Sequence, residues 1–369
     1  MHYLITGHTG FKGSWLSLML QMQGHTISGI SLDPNEKSLF NQAKLSNIYE
    51  NDIRLDIRKR EEINQTVQNI DPDVIVHLAA QPLVGESFKF PVETFDTNVI
   101  GTLNVLEASK NLNNLKATLI ITTDKVYKNK NQLRGYVETD ELGGDDPYSA
   151  SKAAADIAAQ SWIRSFATSP VAIARAGNVI GGGDWALNRI IPDLVNAFAA
   201  GQTPILRYPD AIRPWQHVLD CLAGYLKLID YQIRTGLAGV WNFGPDIKES
   251  YAVKDLVREF GNYWGGGIKV TEWEVENSQI QHETSCLLLD SSRARKELDW
   301  GRDQLSFQNS IKWTVDLVHS GLEETMISAT REIMEIWLSN PAIPDMRTAA
   351  YVSAINKVAI SYTELGIFP

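Results

Sequence analysis

Cysteine is scarce in this chain. Among 369 residues only Cys221 and Cys286 occur, too far apart for a metal-ligand spacing or a CxxC redox pair. A disulfide-stapled scaffold is excluded, although the count alone leaves one bridge open, and no metal is expected. Long apolar runs are missing too. None approaches 18 residues, so no spanning helix is expected. The chain runs from Met1 into an apolar strand without a basic and then apolar leader, and a cytoplasmic address follows as an expectation. Positive charge is in deficit: 34 Lys and Arg face 44 Asp and Glu, a formal net charge of −10. Such a surface suits neither nucleic acid nor an anionic membrane, so neither is an expected partner. Low-complexity linkers and internal repeats are absent. With 44% apolar and 21% charged residues the balance is that of a folded globular chain. Its length suffices for one large core and a smaller second lobe.

Strand and helix patterns alternate through the first half. Short apolar strands are predicted at 2–6, 25–31, 74–78, 117–122 and 171–175, and helices at 14–23, 61–70, 91–110 and 147–166. That alternation predicts a parallel sheet covered on both faces with right-handed crossovers. After the triple glycine 181–183 the strands shorten and helices dominate, at 218–233, 253–263 and 292–298. The segment 241–244 is apolar enough to return to the main sheet. The expected division is a nucleotide-binding domain over 1–180 with later segments returning to it, a lobe over 181–321, and an appendage over 322–369. In that appendage helical segments at 327–338 and 346–361 flank Pro341 and Pro344.

Gly7, Gly10 and Gly13 stand between the first strand and the first helix, in GHTGFKG. A dinucleotide needs such glycines for a tight turn, for close approach of backbone to pyrophosphate, and for close helix–sheet packing. The helix N-terminus then turns free N–H groups toward the anion. The predicted fold is therefore α/β, a Rossmann-type doubly wound parallel sheet with a smaller mixed substrate-binding lobe. Phe11 and Lys12 belong to the same turn; Lys12 either attracts an extra phosphate or is solvated. The second strand ends at Ser31, with Asp33 two residues on. An acidic group there bonds ribose hydroxyls and favours NAD over NADP. Asp52 and Ile53 sit where an adenine edge is held, or form a solvated loop aspartate beside a core isoleucine. Leu78, Ala79 and Ala80 follow His77 at the end of a strand, small enough to admit a ligand; His77 is expected to satisfy local backbone groups. Asn98, a poor helix former, lies within a predicted helix and bridges to active-site backbone or is a surface amide.

Tyr148 and Lys152 occur as YxxxK, which places both on one helical face. An ammonium beside a phenol lowers its proton affinity, and the phenolate then takes a hydroxyl proton as hydride leaves the same carbon. Asp146 and Pro147 supply the helix entrance. Thr123 is placed to bond the same substrate oxygen. Asp124 and Lys125 add an acid and a base if burial raises the first and lowers the second. A strand-end salt bridge is the plainer alternative.

These stretches, GHTGFKGSWL, HLAAQPLV, ITTDKVY, GGDDPYSASKAA, ARAGNVIGGGDWA and RPWQHVL, occur in order over residues 1 to about 220, and WNFGP and HETSCLLLD extend them to about 300. In them the chain resembles the extended short-chain dehydrogenases/reductases, most closely the nucleotide-sugar 4,6-dehydratases acting on CDP-glucose. The resemblance implies NAD as cofactor and CDP-glucose as substrate. It further implies C4 oxidation by Tyr148, elimination of water across C5 and C6 by Asp124 and a base such as Lys125, and reduction at C6. Other nucleotide-sugar dehydratases typically carry Asp–Glu where Asp124–Lys125 stands, and the lysine suits the branch acting on CDP-glucose. Carried across, Gln81, Asn178, Asn188 and Arg189 contact the nucleotide sugar; Arg213 is suited to clamp a phosphate bidentately and His217 to orient its loop. The resemblance also implies a homodimer through helices near 91–110 and 147–166, unless their apolar faces are ordinary core. An epimerase of the same fold and a noncatalytic NAD-binding protein are the competing readings. His282–Glu283 lacks the second histidine of HExxH, because residue 286 is Cys.

Overall fold

A computed structural model describes residues 1–132, 134–265, 273–275, 285–302, 304–319 and 334. Seven parallel strands form the central sheet. Six are β1 (His2–Thr6), β2 (Thr26–Ser31), β3 (Asn51–Arg54), β4 (Val74–His77), β5 (Ala117–Thr123) and β6 (Val171–Ala176); the seventh, Gly239–Phe243, pairs with β6. The order across the sheet runs from Gly239–Phe243 through β6, β5, β4, β1 and β2 to β3. The winding reverses between β1 and β4, which opens a crevice at their carboxyl ends. β5 and β6 are buried at every residue, as a sheet covered on both faces requires. On one face Trp15, Leu16 and Met19 of helix Phe11–Met22 pack with Leu222, Tyr225 and Ile229 of helix Val218–Thr235. On the other, Ile63 and Val67 meet Val105 and Ala108.

Within the described residues the predicted elements are present with shifts of a few residues, and 241–244 does return to the sheet. Three features differ. β3 escapes the apolar pattern because Asn51–Arg54 is an edge strand, buried only in part. The expected helix 91–110 is three stretches, Pro91–Phe95, a π-helical Asp96–Ile100, and Gly101–Ser109. Helices Ile190–Ala199 and Phe307–His319 were not anticipated. They build the core of the second lobe, where Ile191, Leu194 and Phe198 pack with Leu256, Phe260, Phe307 and Ile311. Both cysteines are buried and free, which closes the disulfide option. Among the described residues no helix is long and apolar enough to cross a membrane, and no cluster of metal-ligating side chains occurs. His282–Glu283 and the helices expected at 327–338 and 346–361 fall outside the described residues, Met334 aside.

Candidate active site

A cleft of about 1290 Å³ runs from the glycine-rich turn across the ends of β4 and β5 to the second lobe. Gly7 has φ +76°, and a Cβ there would lie 2.7 Å from Ala79 N. A Cβ on Gly13 would collide with Gly7 O. Only glycine permits this turn to press against the chain leaving β4. Helix Phe11–Met22 begins at Gly10 with no side-chain cap and no acid in its first turn. Its first N–H groups are left to an anion, so the residues present fit a dinucleotide pyrophosphate. Phe11, Lys12, Ser31, Leu78, Ala79 and Ala80 line this end of the cleft. Ser31 Oγ bonds Thr9 Oγ1 at 2.7 Å.

Asp33 does not line the cleft; it is exposed and lies 3.4 Å from Arg54 Nε. Asp52 and Ile53 are strand residues of β3, away from the cleft wall. Asp52 Oδ1 meets the Nε2 of buried His8 at 2.7 Å, and its carboxylate is forked by Arg54. Burial pushes Asp52 upward, but hydrogen bonds from Arg54 and His8 outweigh it and hold the carboxyl below its usual range. The cleft wall is formed four residues later, by Asp56 and Ile57.

His77 is satisfied by side chains instead of backbone: Thr6 Oγ1 at 2.7 Å and Thr102 Oγ1 at 3.0 Å. Asn98 lies inside the π-helical stretch and bridges as anticipated. Its Oδ1 accepts from Gln81 N at 2.8 Å, and its Nδ2 donates to Ser151 Oγ at 2.9 Å and Gln81 O at 3.2 Å. It therefore ties the loop after β4 to the helix of Tyr148 without lining the cleft. Gln81 is also turned inward, with its amide on Thr94 Oγ1 and Leu83 N. That amide braces the loop, and Leu83, Val84 and Glu86 line the cleft there.

Helix Pro147–Ser165 starts at Asp146, whose carboxylate accepts from Ser149 N at 2.9 Å, with Pro147 in the first turn. This entrance places Tyr148 and Lys152 beside the end of β5. Burial lifts the Tyr148 phenol to about 12, opposed by a hydrogen bond with Thr123 and by the charge of Arg189. Burial, then the charge of Lys12, lowers the Lys152 ammonium to about 8, while Asp156 opposes. Lys152 Nζ donates to Ile121 O at 3.2 Å, and Lys12 Nζ to Tyr225 OH at 3.2 Å.

Asp124 is buried, 2% exposed. Its Oδ1 accepts from Thr123 Oγ1 at 2.9 Å; its Oδ2 has no hydrogen-bond partner among the described residues. Burial raises its pKa against the pull of Thr123, Lys125 and Arg213. A carboxyl in that setting favours the protonated form. Lys125 lines the cleft next to it.

In the second lobe Asn178, Asn188, Arg189 and Arg213 all line the cleft. Arg189 Nη1 donates to Asp184 Oδ2 at 2.9 Å, and Asn188 takes φ +60°. His217 does not reach the cleft. It caps helix Val218–Thr235 through Nδ1 and stacks edge-on against Trp313. Trp185 packs in the lobe and bonds Gln42, whereas buried Trp215 reaches the cleft wall. Arg207, Tyr208 and Glu86 were missed. Arg207 donates to Asn188 O at 2.8 Å, so it shapes the same loop. As isolated polar residues in LRYPD and VGESF they carry no spacing signal.

A parallel sheet with a glycine-rich turn at its switch point, and a buried Tyr–Lys pair beside it, defines a dinucleotide-dependent oxidoreductive site. Residues 3–244 match the NAD dependent epimerase/dehydratase family, and the chain belongs to that family and uses NAD. It is 39% identical over 346 residues to the CDP-glucose 4,6-dehydratase of Salmonella typhimurium, covering 90% of this chain and 94% of that one. It is 28% identical over 337 residues to a dTDP-glucose 4,6-dehydratase of Haemophilus influenzae, covering 85% and 97%. Among solved structures, the dTDP-glucose 4,6-dehydratase DesIV of Streptomyces venezuelae superposes with a TM-score of 0.75 at 23% identity, covering 87% of this chain and 97% of that one.

Proposed function

We propose that this enzyme converts CDP-glucose to CDP-4-dehydro-6-deoxy-glucose with loss of water. The observation carrying the reading is Asp124: a buried carboxyl at the cleft, one oxygen held by Thr123 and the other unpartnered among the described residues. An epimerase has no leaving hydroxyl to protonate and no use for such an acid. The 39% identity to a CDP-glucose 4,6-dehydratase supports the choice of sugar nucleotide.

Bound NAD supplies an acceptor for hydride from C4 and, once reduced, a donor to C6. Tyr148 takes the O4 proton as the C4–H bond breaks, and Thr123 holds the same oxygen. The resulting 4-ketone acidifies the C5 proton. Lys125 takes that proton, the C6–O bond breaks, and Asp124 gives its proton to the departing hydroxyl, so that water leaves. C5 is then reprotonated from the same base. Lys152 keeps positive charge near the phenol. Arg189 and Arg213 are assigned to the diphosphate, where fork geometry suits phosphate oxygens. Gly7, Gly10 and Gly13 hold the cofactor's pyrophosphate, with Ser31, Asp56 and Ile57 toward its adenosine.

A homodimer through helices Pro91–Phe95, Gly101–Ser109 and Pro147–Ser165 is part of the proposal. Val92, Phe95, Ile100 and Ile157 leave large apolar groups exposed there, more than scattered surface residues require. Incubation with CDP-glucose and with dTDP-glucose, read by product mass, tests the reaction. Loss of one water from the CDP sugar alone is expected. An unchanged mass with both sugars, in protein carrying NAD, refutes it, and an inverted centre at unchanged mass selects the epimerase.

A further inference from the structure

Behind Lys152, on the side away from the cleft, lies a buried ion pair that the reaction does not use. Asp156 is four residues beyond Lys152, on the same face of helix Pro147–Ser165. Its carboxylate receives Arg175 bidentately, Nε to Oδ2 at 2.8 Å and Nη2 to Oδ1 at 2.7 Å, with both side chains fully buried. Two further donors complete it: Thr122 Oγ1 at 3.0 Å and Gln160 Nε2 at 2.7 Å. Arg175 also donates to Tyr127 OH at 2.9 Å and Glu138 O at 3.0 Å. The pair thus pins three things together: the helix of Tyr148 and Lys152, β5 one residue before Thr123, and β6.

A buried pair of this kind is a weak source of stability, because desolvation of both ions offsets their attraction and apolar residues of similar size do as well. What it supplies is register, since a bidentate fork accepts one geometry. We propose that Asp156 and Arg175 are positioning residues for the active centre: they set Tyr148 and Lys152 against Thr123. One helical turn from Lys152, the Asp156 carboxylate also stands among the groups that face its ammonium. Lys12, from helix Phe11–Met22, disfavours its ammonium, and His77, from the end of β4, is neutral in its buried site. Tyr148 shares its helix, and β5 contributes the Ile121 carbonyl. Tyr225, from helix Val218–Thr235, accepts from Lys12 Nζ at 3.2 Å. Asp156 is the opposing negative charge.

This inference rests on the catalytic reading of Tyr148 and Lys152, so its test includes a measurement that needs no turnover. Competitive acylation of Lys152 across pH, quantified by peptide mass spectrometry on the purified protein, gives its ionisation midpoint. Asp156→Asn leaves Arg175 uncompensated, and the midpoint should fall by about one pH unit. A double variant, Asp156→Asn with Arg175→Gln, removes both charges and guards against a single variant that does not fold. Its midpoint should stay below that of wild type, because the Asp156 carboxylate is absent from it as well, while kcat for water loss stays down roughly tenfold or more with KM unchanged. An unmoved midpoint in folded Asp156→Asn, or wild-type kcat in the double variant, overturns the proposal. If the wild type itself releases no water from CDP-glucose, the catalytic reading fails, and the acylation result still stands on its own.

Discussion

Asp124→Asn separates the stages of the proposed reaction. The amide matches the carboxyl in size and retains an oxygen to accept from Thr123 Oγ1, so packing and that 2.9 Å bond survive. Because burial already disfavours the charged carboxylate, no buried charge is exchanged, and stability should change by less than about 1 kcal/mol. What is lost is the transferable proton. General acids contribute roughly 10²–10⁴-fold, about 2.7–5.4 kcal/mol of barrier. C4 oxidation needs only Tyr148 and its neighbours, so it should persist. Mixing the variant with CDP-glucose should therefore produce a lasting near-ultraviolet signal of reduced nicotinamide, with water loss slowed by that factor. Water loss at the wild-type rate would refute the assignment. So would loss of the reduced-cofactor signal, which would make Asp124 part of the oxidation step.

Other positions give independent checks. Tyr148→Phe should abolish the reduced-cofactor signal while leaving sugar-nucleotide binding within about threefold of wild type in calorimetry. Gly7→Ala forces a side chain into a left-handed backbone position, 2.7 Å from Ala79 N, and should weaken NAD binding and lower the melting temperature together. Asn98→Ala strands the half-buried Gln81 backbone groups, and should cost about 1–3 kcal/mol in denaturant unfolding with a fall in kcat. His77 and His217 are held neutral by burial, with folded pKa values lowered to about 3. Unfolded, each takes a proton near 6.5, so their contribution is complete above that pH. It is lost as pH falls from about 6.5 toward 3, by up to about 1.4 kcal/mol per pH unit for each group. Unfolding free energies measured at pH 7 and pH 5.5 should decrease accordingly.

The sheet was legible because parallel strands buried on both faces appear as apolar runs between amphipathic helices. β3 was not, because an edge strand of Asn51, Asp52 and Arg54 lacks that pattern, so Asp52 was expected at the cleft where Asp56 lines it. The catalytic end was legible through local spacing: Tyr148 and Lys152 share one helix, and Thr123 to Lys125 are consecutive. The far end of the cleft was only half visible. Arg189 and Arg213 stand near glycines and aromatics that draw attention, whereas Arg207 and Glu86 are brought in by tertiary folding alone. Side-chain direction was the other blind spot. Gln81 and His217 were expected at the cleft but do not line it: the Gln81 amide is turned to Thr94 and Leu83, and His217 Nδ1 to Leu219.

The central claim is an internal transfer of hydride from C4 to C6 of one sugar, coupled to loss of water. CDP-glucose carrying deuterium at C4 tests it most directly, with the product examined by mass and by the position of the label. The account predicts a product lighter by one water with the deuterium on C6. Deuterium still at C4, or a product that has lost no water, would contradict it.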